Sequence, residues 1–172
     1  MHLEFARSSL ERQLRATLLT LRDLAERYPD DLWLDPGPET TAWQLAYHTL
    51  FFGDYYLAPA SDQHDHWPVH RRGVQYEDGI PGPPIEGDAR PLVCRPYSRG
   101  EAIAFCDHIL GRLSTALAAL DLDAPECGFE WYPIPKFEHL LVNLRHLQHG
   151  AAQLADRLRA ATGQGTPWLG SR

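Results

Sequence analysis

Four segments of this chain repeat apolar residues at alternating steps of three and four, the spacing that stacks side chains along one face of an α-helix. The first carries Leu3, Leu10, Leu14, Thr17, Leu21, Leu24 and Tyr28 and stops at Pro29; the second carries Thr41, Gln44, His48, Phe51, Phe52 and Tyr55. The third carries Ile103, Cys106, Leu110, Leu113, Leu117 and Leu120, and the fourth Leu140, Leu144, Leu147, Ala151, Leu154 and Leu158 before Gly163. Thr41 with Gln44, and Ser98 with Glu101, have the spacing that satisfies free backbone N–H groups at a helix start, while Pro133 and Pro135 precede the fourth helix. A stripe about 100° wide on each of four helices is buried only when those faces pack together. The spacing therefore predicts an all-α four-helix bundle, one domain over residues 1–172, with helices near 3–28, 41–58, 99–120 and 136–162.

The connections are unequal. Residues 29–39 and 121–135 are short links, whereas residues 58–97 hold seven prolines and four glycines, a composition in which regular structure rarely persists. A connection of that length can cross the whole bundle, so a long crossover is expected between helices two and three. His64, His66, Trp67, His70 and Tyr76 make it read as a packed cover, because loops this long are functional or disordered. In the tail, Trp168 is expected to fold back onto the helices.

Charge narrows the partners. A net charge of -7, with 16 basic residues of which all but Lys136 are scattered arginines, disfavours nucleic acid and anionic membrane surfaces, both of which demand clustered cations. The opening MHLEFARSSLER lacks the apolar run of a signal peptide, and the chain reads as offering no stretch of roughly 20 apolar residues for a spanning helix. The expectation is a soluble, cytoplasmic protein. Cys94, Cys106 and Cys127 are odd in number and far apart, fitting reduced thiols better than a disulfide framework or a close-spaced zinc pattern.

Nine histidines are many for 172 residues, and two fall where helix faces converge. With His48 as origin, Thr41, Gln44, Phe51, Phe52 and Tyr55 all lie within about 60° on the helical wheel, so His48 sits in the buried stripe. On the fourth helix His146 lies about 120° from the stripe centre, Gly150 about 80° to the same side, and His149 about 180° away, facing solvent. Two ligands on one helix normally use i and i+4, so the partner of His146 would be residue 142 or 150; these are Val142 and Gly150, which cannot ligate. A lone histidine on an apolar face is also a common satisfied core residue. The HDH run at 64–66 could chelate or could be a solvated loop, Asp107 and His108 are expected to face water, and Glu130, Trp131 and Tyr132 could line the bundle's open end.

TAWQLAYHTLFFGDYYL (41–57), PYSRGEA (96–102), RHLQHGAAQL (145–154) and GQGTPWLG (163–170) together resemble the DinB/YfiT-like proteins, four-helix bundles described as metal-dependent enzymes. The resemblance spans nearly the whole chain. It implies a divalent metal, nickel, zinc or iron, held by one histidine of the second helix and two of the fourth, with positions left open to water. His48 and His146 match two of these ligands. The third position of the family pattern holds Gly150 here, and His149 matches the neighbouring histidine that is not usually the ligand. The resemblance also implies hydrolase or thiol-transferase chemistry on a small-molecule substrate, and a homodimer.

Two readings of the histidines stay open, beside a third in which the chain is a structural dimer with no small ligand, its interface the apolar residues left over on the first and third helices. In one, His48 and His146 bind a divalent cation whose third place is taken by His149, by a loop histidine such as His64 or His66, or by water. In the other, the chain is a metal-free small-molecule-binding or interaction protein on the same scaffold, and the two imidazoles are core polar residues. No Ser or Cys has a base identifiable by spacing, so no catalytic nucleophile is assigned.

Overall fold

A computed structural model describes residues 3–35, 40–76, 85 and 95–170. Among these residues the fold is all-helical: α1 Leu3–Arg27, α2 Asp30–Leu34, α3 Ala42–Tyr55, α4 Arg99–Ala119 and α5 Lys136–Thr162. The expected long helices appear within a few residues of their expected ends. The short α2, built from DDLWL, was not expected. It follows Pro29 at its N-cap and exists to seat Trp33, buried with its indole N–H donating to the Tyr97 carbonyl at 2.8 Å.

The helix ends follow local chemistry. Thr41 accepts from the Gln44 N–H at the start of α3, though Gln44 returns its amide oxygen to the hydroxyls of Thr40 and Thr41 and not to the cap N–H. At α4 the Ser98/Glu101 pair closes reciprocally. Gly163 ends α5 in the left-handed region, φ 72°, a conformation that costs a residue with a Cβ.

α1 packs on α4 and α5, and α3 packs on the same two helices. One apolar cluster collects Leu10, Leu14, Leu21 and Leu24 from α1, most of α3, Phe105, Ile109, Leu113 and Leu117 from α4, and Leu140, Leu147, Leu154 and Leu158 from α5. α3 is buried almost all round because loop residues 58–76 cover its remaining face, with Trp67 and Val74 sealing it. The same cover rotates the buried stripe of α4. Trp67 stacks on Phe105 at 4.5 Å, so Phe105 and Ile109 lie inside while Ile103 and Leu110, expected in the stripe, are only half-buried.

The α3/α5 seam is unusually close. A Cβ on Gly53 would stand 2.4 Å from Leu147 Cδ2, and one on Gly150 would stand 2.0 Å from Thr49 Oγ1. Asn143 exploits the approach by donating to the Gly53 carbonyl at 3.0 Å.

Two further expectations fail. Trp168 does not dock; it is 88 % exposed, although the tail before it is tied by Arg27 to the Gly165 carbonyl at 2.8 Å. By length and composition α4 is apolar enough to cross a membrane, contrary to the reading that no segment is; in this fold its apolar side faces α1 and α3. The expected features at 77–84 and 86–94, Cys94 among them, lie outside the described residues, while Cys106 and Cys127 are free and buried.

Candidate functional site

α3 carries two adjacent polar stripes. His48, Phe52 and Tyr56 follow one another at i, i+4 and i+8 and face α5, whereas Tyr47, Phe51, Asp54 and Tyr55 face the loop. Each stripe meets histidines from another element, so there are two histidine sites and not one.

On the α5 side, His48 and His146 have ring centroids 5.3 Å apart with planes at 59°. His48 Nδ1 lies 2.8 Å from the Gln75 carbonyl. A carbonyl can only accept, so Nδ1 carries the proton and Nε2 keeps its lone pair. His146 Nε2 is buried and meets no hydrogen-bond partner among the described residues. Burial first, and neighbouring His48 second, bring the His146 pKa down to about 4, which keeps its imidazole neutral. Phe52 and Tyr56 present their rings edge-on to His146 and dry the site.

This pair fits a divalent cation on two counts. A backbone carbonyl behind one imidazole is the outer support that fixes a ligating histidine's tautomer. Two imidazoles sharing a tetrahedral ion at about 2.1 Å place their ring centres about 5 Å apart, close to the observed separation.

No third protein ligand joins them among the described residues. Among the described residues no group of three or more His, Cys, Asp or Glu side chains converges for a metal. His149 is exposed and lines a groove with Gln148, Leu144 and Trp168 on the α1 side of α5. Gly150 is buried against Thr49, so a histidine there would have to displace Thr49. His64 and His66 belong to the other stripe.

Along α5 the polar face continues past His146. Asn143 Oδ1 and both ring nitrogens of His139 are buried without a partner among the described residues. Lys136 ends the row, its ammonium donating to the carbonyls of Ala58 and Pro59 at 3.2 and 2.8 Å. Of the residues expected at the open end, Tyr132 packs on His139; Asp107, expected to face water, is exposed on α4 and pairs with Arg22 at 2.9 Å.

On the loop side, Asp54 is fully buried. It accepts from Arg112 Nη1 at 2.5 Å and from His64 Nε2 at 3.0 Å. His64 Nδ1 stands 3.2 Å from His66 Nδ1. His70 packs parallel to His66, with centroids 4.6 Å apart, and its Nδ1 meets the Tyr47 hydroxyl at 2.6 Å.

The sequence pointed to His48 and His146 but not to the Gln75 carbonyl behind His48, nor to Asp54 behind His64. Gln75 acts through its backbone carbonyl, which any residue type supplies, so no signal existed. Asp54 did leave one: it is the lone carboxylate inside the aromatic run FFGDYYL, and a charge there must be paired. No family model, curated protein or solved structure matches the chain.

Proposed function

We propose that the chain is a divalent-metal-dependent enzyme of the DinB/YfiT-like type, a hydrolase or thiol transferase acting on a small molecule. Its scaffold is then a four-helix bundle whose second and third long helices are joined by a crossover, working as a cytoplasmic homodimer. The observation that carries this reading is the His48–His146 pair: two imidazoles from different helices, one with its Nδ1 proton fixed by the Gln75 carbonyl, the other with a buried Nε2 that has no partner among the described residues.

His48 and His146 hold nickel, zinc or iron, and the ion supplies Lewis acidity toward a substrate oxygen or thiol. The protein's own part is to keep His146 neutral by burial, to orient His48 through Gln75, and to exclude water with Phe52 and Tyr56. With only two protein ligands, affinity is modest and several positions are left for exogenous groups.

The test is the metal content of protein purified without a histidine tag. About one equivalent, lost in both His48→Ala and His146→Ala, supports the reading. No metal after incubation with excess nickel, zinc or iron, with both variants as stable as the parent, overturns it. A second reading, metal-free ligand binding on the same scaffold, is favoured by Gly150 packing against Thr49 where a third ligand would stand; that negative result would establish it.

A further inference from the structure

We infer that the loop histidines form a second, independent cation site: His64 Nδ1 and His66 Nδ1 chelate an imidazole-binding divalent ion such as Zn²⁺, with Asp54 as the positioning residue.

Three features carry the inference. The first is proton bookkeeping. Asp54 is a carboxylate held by the Arg112 guanidinium, so it can only accept, and the His64 nitrogen 3.0 Å away must carry the proton on Nε2. In a neutral His64 the lone pair therefore sits on Nδ1, where it accepts from His66 Nδ1, and an ion that binds both atoms displaces that His66 proton to solvent or to its own Nε2. A carboxylate behind a histidine is the arrangement that fixes and strengthens a metal-binding imidazole.

The second is the bite. The two Nδ1 atoms are 3.2 Å apart. Two nitrogens on a tetrahedral zinc at about 2.1 Å are separated by about 3.3 Å, so neither ring needs to move far.

The third is that both rings are already held. His64 has its side chain 2 % exposed and packs edge-on against Tyr55 at 5.0 Å. His66 lies parallel to His70 at 4.6 Å and to Phe51 at 5.8 Å, two rings that also stack on each other at 5.0 Å. Rings fixed before binding lose little freedom on binding, which lets two ligands suffice for measurable affinity. His66 is exposed, so the remaining coordination positions open to water or to an anionic group from solution.

This site does not depend on the His48–His146 pair, because the two pack against different faces of α3. The experiment is a calorimetric titration of untagged protein with Zn²⁺, run on the parent, on His66→Ala and on the His48→Ala/His146→Ala double variant. His66 is exposed, so its variant folds. The expected result is that His66→Ala loses one equivalent or binds it at least about tenfold more weakly, while the double variant keeps that equivalent. Ring nitrogen NMR supplies the second readout: the Nδ1 resonances of His64 and His66 shift with Zn²⁺ while His64 Nε2 stays protonated. Titrations of the parent and His66→Ala that superimpose, or no binding at millimolar Zn²⁺, would mean that the rings share only a proton, and the inference falls.

Discussion

His139 is the clearest case of a single residue whose chemistry is set by its surroundings. It is fully buried against the rings of Tyr56, Phe129 and Tyr132. Burial first, and the Lys136 ammonium second, hold its pKa at about 4, below the ordinary imidazole value of 6.5. The unfolded chain takes up this proton near pH 6.5, whereas the folded chain resists it until about pH 4. Stability is thus intact above 6.5, falls as the pH drops from 6.5 toward 4, and changes no further through this group below that. At about 1.4 kcal/mol per unit the full loss is on the order of 3 kcal/mol. His139→Leu removes the titration together with two unmet polar atoms. Urea unfolding should show the variant as stable as the parent or slightly more so at pH 7, and about 2 kcal/mol further ahead near pH 4.5. A stability difference that stays constant across this range would mean that the imidazole is solvated in the fold.

At the scale of the elements, the α3/α5 seam decides how near His48 comes to His146, and glycine sets the seam. Three helical glycines give opposite expectations for the same substitution. Gly111 on α4 has nothing within 4 Å of a new Cβ, so Gly111→Ala should stabilise by about 0.5–1 kcal/mol through backbone entropy alone. Gly150→Ala meets Thr49 Cβ at 2.8 Å as well as its branch atoms, and a β-branched side chain in a helix cannot turn away. That variant should lose about 1–3 kcal/mol by overpacking. Gly53→Ala meets the mobile end of Leu147 and should fall between the two. Thermal midpoints of the three variants settle the ranking, and a Gly150→Ala midpoint at or above that of Gly111→Ala would refute the close seam. None of this shows in the pattern of apolar residues. Periodicity located the four long helices because a buried stripe must repeat with the helix turn. It misassigned the stripe of α4 because Trp67, remote in sequence, covers Phe105. It missed α2 because one turn contains no repeat to detect.

Across the whole molecule, a single ion cluster ties three parts together: Asp54 from α3, Arg112 from α4 and His64 from the loop. The other bridges among the described residues keep some exposure on both partners. Arg22 with Asp107 also links two helices, α1 and α4, but its carboxylate is half exposed, and such pairs contribute under about 1 kcal/mol. Asp54 is different because its carboxylate has no exposure at all, so its stability depends on keeping its partners. The histidine pair between α3 and α5 was partly legible in the sequence, since helical phase puts His48 in the buried stripe and His146 on an edge of its own, about 120° from the stripe centre. The loop-side site was less so: the HDH run at 64–66 could be named as a possible chelate and Asp54 stood isolated in an aromatic run, but no periodicity reports which helix a loop of that length lies against. The dependence can be measured. Arg112→Met keeps the aliphatic stem but strips Asp54 of its guanidinium, and removing one partner of a buried charge pair costs about 3 kcal/mol. Arg22→Met should cost under about 1 kcal/mol in the same urea titration. Adding Asp54→Asn to Arg112→Met should restore part of the loss, because the amide no longer carries a charge that must be neutralised. If the double variant instead loses the sum of the two single losses, Asp54 and Arg112 act independently, and the cluster does not join loop, α3 and α4 into one cooperative unit.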